Sequence, residues 1–230
     1  MTEWLILGGS GHARSLASII RGRGDRVAAV SDSGLTAEPF DGSPEAEAFR
    51  NPDGSLPRWF ADDAAGIDAA VAEGLAITIG IGANGVRRRI AEKLLADPRL
   101  ASLGPALVAR SATVDRTAEL GSYSQVAEHA HIGPLARLGD AVIVNTAAVV
   151  EHDCSVGDGT HLAPGSVLLG AVRVGSEVFL GSGSRVLPGI ELGDGTVLGA
   201  GAVATRGLDG MATYVGVPAR RLNSTKGPAH

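Results

Sequence analysis

The chain is 230 residues long, enough for one large or two small domains with a real core. With 44% apolar and 20% charged residues, and no run near the ~18 apolar residues of a membrane span, it reads as globular and not membrane-spanning. A net charge of −5, shared by both halves, argues against nucleic acid as a partner, and the single cysteine, Cys154, excludes an internal disulfide and fits a reducing, cytoplasmic setting.

The opening MTEWLILGGS, with Glu3 and a very short apolar stretch, is not expected to act as a signal peptide. Residues 3–8 read as a buried strand, followed by the turn Gly8-Gly9-Ser10-Gly11-His12 and an amphipathic helix over 13–21. A second strand, 26–31, ends at Asp32. Residues 37–61, dense in Pro, Gly, Asp, Glu and Ser, read as a long surface loop. A helix over 62–73, a strand over 76–82 and a helix over 86–95 complete a βαβαβα order, which predicts a small parallel, Rossmann-like sheet with helices on its faces. Its glycine-rich first βα turn offers backbone N–H groups and a helix N-terminus to a phosphate, although GGSGH is not GxGxxG and suits any tight turn. Residues 97–107 link this part to the second, so the expected domains are 1–106 and 107–230.

The second half is a repeat. Every sixth residue from Val108 to Leu198 is Val, Ile or Leu, sixteen in succession, where about five would fall in that phase by chance. The residue four places on is small in most hexads, as at Ala112, Ala130, Cys154 and Ser184. Such hexads wind a parallel β-helix with the aliphatic positions stacked inside, sixteen making a little over five coils at three per coil. The absence of bulky aromatics, only 8 in the chain, agrees with an interior built from small and aliphatic residues. The last hexad position points outward, yet Ile143, Val149, Val167 and Phe179 are apolar there, which predicts a subunit interface.

One stretch departs from simple repetition, Asn145 to His161. His152 falls two residues after an interior aliphatic position, a turn phase, so it is expected at the surface and available as a general base. Either neighbour, Glu151 or Asp153, could orient it. If a coil holds three hexads, Gly170, eighteen residues on, lies one coil away, and its N–H could stabilise an oxyanion. Cys154 occupies an interior position and reads as core, not nucleophile. His129 and His131 have no partner pattern for a metal, and none is expected.

The segments LILGGSGHA, IGANGVRRRIAEKL, VNTAAVVEHDCSVGDGTHLAPGS and YVGVPARRL together resemble bacterial hexapeptide-repeat sugar acyltransferases, which include UDP-4-amino-sugar N-acetyltransferases and sialic-acid O-acetyltransferases. The resemblance implies a left-handed β-helix and a homotrimer with active sites between subunits. It implies direct acetyl transfer from acetyl-CoA to the amine of a nucleotide sugar of the UDP-4-amino-4,6-dideoxy type. His152 would be the base and Asp153 its orienting acid; Asn145, His161 and the backbone of Gly170 would lie near the thioester. Gly216, Pro218, Arg220 and Arg221 would run along the CoA, whose phosphates suit the basic tail formed by Arg206, Arg220, Arg221 and Lys226. Gly9, Ser10, Gly11 and His12, with Asp32, Gly82 and Asn84, would hold the nucleotide. Departures from the family pattern at Ser31-Asp32, at Ala83-Asn84 and in the long 37–61 segment fall in the acceptor half. The alternatives are O-acetylation of a sialic-acid-like sugar and, in another class, a non-catalytic β-helix scaffold.

Overall fold

The computed structural model describes residues 1–34 and 42–222. Strands β1 (Glu3–Leu7), β2 (Arg26–Ser31), β3 (Arg58–Phe60) and β4 (Ala76–Ile79) form one parallel sheet in the order β3-β2-β1-β4. Leu5, Ile6, Ile77 and Ile79 are fully buried, as expected for strands covered on both faces. Helix α1 (Gly11–Gly22) covers the face bearing Trp4 and Ile6, while α3 (Asp63–Glu73) and α4 (Asn84–Leu95) cover the face bearing Leu5 and Leu7.

The 37–61 segment is not the plain surface loop that its composition predicts. Residues 37–41 lie outside the described residues, but the remainder contains the short helix α2 (Pro44–Glu47) and β3, which lengthens the sheet. Three side chains bring it in. Phe49 is buried edge-on against Trp59 at 5.1 Å, and the buried Asn51 amide bonds both the N–H and the C=O of Val27 at 3.0 Å. Composition reports the polar residues between these anchors and hides the anchors themselves.

From Leu107 the chain winds as a three-sided, left-handed parallel β-helix of about six turns. Two-residue strands β5 to β21, from Leu107–Val108 to Val203–Ala204, lie on three faces, and those up to Arg185–Val186 each pair in parallel with the strand 18 residues on. The first face carries Ile143, His161 and Phe179 in register, the second His131, Val149 and Val167, the third Arg137, Ser155 and Arg173. The usual right-handed rule arises from long crossovers packing back onto a twisted sheet, which strands this short do not have. The predicted ladder is the interior: from Val126 to Leu198 its members are 0–5% exposed. It runs one hexad further, to buried Ala204. The last turn is two residues short, so Leu208 bridges to Leu192 and β22 (Thr213–Val215) pairs with Val197 and Leu198. There β23 (Arg220–Arg221) folds back antiparallel on β22 and caps the coil.

Outward Ile143 corrects a second expectation. It is 1% exposed, because the β-sheet domain sits on the early coils of the first face; both hydrophobic clusters of that domain include coil residues, Leu107 and Ala127 in one, Tyr123 and Ala141 in the other. Along that face exposure returns only further on, reaching 36% at Phe179. Val149 and Val167, on the second face, are partly exposed.

Candidate active site

From Tyr123 to Gly201 every hexad turn contains one residue in the left-handed region, and in the turn after Val150 that residue is Asp153, with φ 61°. Asp tolerates this conformation better than most residues. The turn presents His152 outward, its side chain 59% exposed, and brings Asp153 Oδ2 to 2.7 Å from His152 Nδ1. Of the two acids flanking His152, the structure therefore pairs Asp153 with it. A carboxylate accepts at that distance, so the neutral form of the imidazole carries its proton on Nδ1 and its lone pair on Nε2. One coil on, Gly170 lies directly against the ring: a Cβ there would stand 2.6 Å from both Cε1 and Nε2 of His152, so a side chain at 170 would push the imidazole from this position. Among the described residues the Gly170 N–H has no protein acceptor, while its neighbour Ala171 donates to His152 O at 2.9 Å. An imidazole and a free backbone donor thus sit in stacked turns one coil apart. Cys154, beside them in sequence, is buried with its Sγ on Leu169 O.

The other predicted residues gather elsewhere. Asn145 Nδ2 donates to His161 Nε2 at 3.2 Å, and its Oδ1 accepts from Thr146 N. His161 lies between Phe179, edge-on at 5.3 Å, and His12 at 6.5 Å. A cleft of about 160 Å³ between α1 and the coil is lined by His12, Ser15, Gln125, Glu128, Asn145 and Thr146. It joins a residue of the first βα turn to one of the Asn145 group. His152 is not part of it: Asn145 stands where the first face turns into the second, and His152 where the second turns into the third. Within one chain a whole face separates the two groups.

In the first βα turn, Asp32 Oδ2 accepts from Gly9 N at 2.7 Å and Oδ1 from Gly34 N at 2.8 Å, while Ser10 Oγ donates to Gly80 O. Gly11 and Gly82 have open space where a side chain would be. Asn84 is engaged between the domains, donating to the carbonyls of Glu177 and Val178. Arg220 and Arg221 are exposed on β23, with Gly216 and Pro218 in the hairpin before them. Lys226 lies outside the described residues. Among those residues no group of three His, Cys, Asp or Glu could hold a metal, and no helix is long and apolar enough to cross a membrane.

Residues 171–206 match the family described as the hexapeptide repeat of succinyl-transferase. The whole chain is similar to PerB from Caulobacter crescentus, solved in complex with CoA and GDP-perosamine: identity is 32%, covering 97% of this chain and 98% of that one, with a TM-score of 0.80. A variant of that perosamine N-acetyltransferase matches with a TM-score of 0.81. The chain belongs to the hexapeptide-repeat sugar acetyltransferases. The acetyltransferase domain of PglB from Neisseria gonorrhoeae, in complex with acetyl coenzyme A, is 29% identical over 96% of this chain and 98% of that one, with a TM-score of 0.78.

In this acetyltransferase two residues that sequence reasoning missed hold the junction. Gln125 Nε2 donates to Ile79 O at 2.7 Å, which turns its Oε1 toward His12 Nε2, also at 2.7 Å. As a polar residue at an outward hexad position, it gives no sequence signal. Arg87 is fully buried and donates to Ala141, Ile81, Gly82 and Gly159 carbonyls and to Asn84 Oδ1. It did have a signal: with Ala91 and Leu94 it forms the inner stripe of α4, so a charge stands where the period calls for an apolar residue.

Burial, then the Arg87 cation and, when it is protonated, His12, push the His161 imidazole down to about 4. It is therefore neutral at physiological pH. A neutral buried histidine stabilises the fold fully above about pH 6.5, where the unfolded chain is also neutral, and that stability is lost as pH falls toward 4 because only the unfolded chain takes up the proton. The loss is expected to reach about 3 kcal/mol. Urea midpoints from pH 7.5 to 4.5 check this: the drop should be smaller in His161→Gln, and parallel drops in both proteins would show that His161 is not the source.

Proposed function

We propose that the protein transfers the acetyl group of acetyl-CoA directly to the amino group of a nucleotide-linked amino sugar. The observation that carries the reading is the His152–Asp153 pair set against Gly170. His152 Nε2 takes the proton from the amine as its nitrogen attacks the thioester carbonyl. The tetrahedral oxyanion is held by the Gly170 N–H; its collapse breaks the C–S bond, and the departing CoA thiolate receives the proton that His152 Nε2 took up, which restores the neutral imidazole. Asp153 keeps the proton on Nδ1 and stabilises the imidazolium in between. No covalent enzyme intermediate is formed.

Asn145 and neutral His161 supply hydrogen bonds near the thioester, and Gly216, Pro218, Arg220 and Arg221 line the path of the CoA, with the two guanidiniums facing its phosphates. Gly9, Ser10, Gly11 and His12, with Asp32, Gly82 and Asn84, form the nucleotide end, so that residues 1–106 carry the acceptor and 107–230 the acyl chemistry. A homotrimer with its sites between subunits is favoured by the separation of His152 from Asn145 and His161 within one chain, and by partly exposed Val149, Val167 and Val203 on the second face. Since acetyl-CoA and nucleotide sugars are both cytoplasmic metabolites, the enzyme is placed in the cytoplasm.

Thiol release from acetyl-CoA with UDP- and GDP-linked 4-amino sugars, sialic acid and CMP-sialic acid tests the acceptor. Turnover is expected with a nucleotide-linked amino sugar. Turnover with sialic acids alone would move the acceptor atom to oxygen, and acetyl-CoA hydrolysis unchanged by any sugar would remove the transferase reading.

A further inference from the structure

At the carboxyl ends of β1, β2 and β4, on the sheet face covered by α3 and α4, lies a cavity of about 280 Å³ that the residues named so far do not explain. Its walls are apolar: Leu7, Ile67, Ile81, Ile90 and Leu94. Its rim carries Asp32, Asp63 and Lys93. Crevices at this end of a parallel sheet are where ligands bind, and the volume is at the small end for a pocket, suiting one planar ring system and not a whole nucleotide. The cavity is continuous with the first βα turn through Gly8 and Asp32, the residue whose carboxylate also holds the Gly9 amide.

The three charged groups are not equivalent. Both Asp32 oxygens already accept backbone N–H groups, from Gly9 and Gly34. Asp63 accepts only from Ser31 Oγ, at Oδ1, and among the described residues no protein donor reaches Oδ2. Lys93, on the neighbouring helix, pairs with no carboxylate among the described residues. An apolar slot is thus bordered by one carboxylate with accepting capacity and one ammonium.

Resting on the nucleotide-sugar reading, we infer that this cavity takes the base of the nucleotide and selects guanine, with Asp63 and Lys93 as its specificity residues. Guanine presents two adjacent donors, N1–H and the N2 amino group, to a carboxylate, and beside them the O6 acceptor to an ammonium. Uracil offers a single N–H between two carbonyls, so a carboxylate meets an acceptor on either side. Adenine and cytosine place a ring lone pair next to their amino group, which repels the carboxylate. From the cavity the ribose and diphosphate continue past Asp32 to the Gly9–His12 turn.

Calorimetric titration of the full chain with GDP, UDP and ADP tests this. GDP is expected to bind roughly tenfold or more tightly than the other two, the discrimination of a good bidentate contact. Asp63→Asn and Lys93→Ala should weaken GDP while leaving UDP affinity unchanged; the UDP titration reports that the fold and the phosphate turn are intact. Asp63 is not the N-cap of α3, a place held by Asp62, so the substitution spares the helix start. Equal binding of the three nucleotides, or a GDP preference that survives Asp63→Asn, overturns the guanine assignment and leaves the acetyltransferase reading standing. Binding of none of them overturns the nucleotide reading as well.

Discussion

His152→Ala is expected to lower turnover by roughly two orders of magnitude or more, the scale of a lost general base. The reason lies in what the side chain does and does not touch. It is more than half exposed and its side-chain partner is Asp153, so its removal opens no cavity and orphans no buried group. Stability should therefore stay within about 0.5 kcal/mol of the parent, as for other surface substitutions. The proton of the attacking amine, by contrast, would have no acceptor beside the Gly170 amide. Steady-state thiol release and a urea titration of the same preparation separate the two effects. A folded variant that keeps near-normal kcat would take His152 out of the mechanism.

Arg87→Met is expected to show the reverse: a large loss of stability from a residue outside the reacting groups. The guanidinium is completely buried, and its partners are carbonyls and the Asn84 amide, with no carboxylate among them. Burial pulls its pKa down, to about 10, which still leaves it charged at neutral pH. Three of its bonds stay within the β-sheet domain, to Ile81, Gly82 and Asn84, and three cross to the coils, to Ala141 at 2.8 Å, Gly159 at 2.6 Å and, more weakly, Thr160 at 3.5 Å. Methionine fills much of the volume but leaves those carbonyls dry and unpaired, at about 1–3 kcal/mol each where no water enters. A fall of about 3 kcal/mol or more in unfolding free energy is the expected result, read from the urea midpoint at unchanged slope. Arg87→Lys should recover only part of it, since one ammonium cannot span acceptors on both sides of the junction. A midpoint equal to the parent's would mean that the junction rests on its hydrophobic clusters alone.

Much of the protein was legible in its residues because two periodic signals dominate. The six-residue ladder from Val108 to Leu198 specifies which side chains face inward, and with 18 residues per coil it also specifies that His152 and Gly170 meet. That contact needed only arithmetic once the family resemblance had supplied three hexads per coil. The strands and helices of the first domain were similarly readable, since each buries one stripe or two faces. What the sequence could not show depended on packing between the two periodic parts. Ile143 follows the outward phase and is nevertheless buried, because a second domain covers that coil. Arg87 and Gln125 reach across the junction to residues 46 to 113 positions away, among them Ile79, Ala141, Gly159 and His12. The pairing of Asp153 rather than Glu151 with His152 was settled by backbone geometry, a left-handed turn residue that aims its side chain back at the ring. The sequence by itself determined the local repeat and hence the turn that carries His152; the tertiary structure alone decided how the β-sheet domain docks on the coil, because docking is fixed by contacts between distant segments that carry no common period.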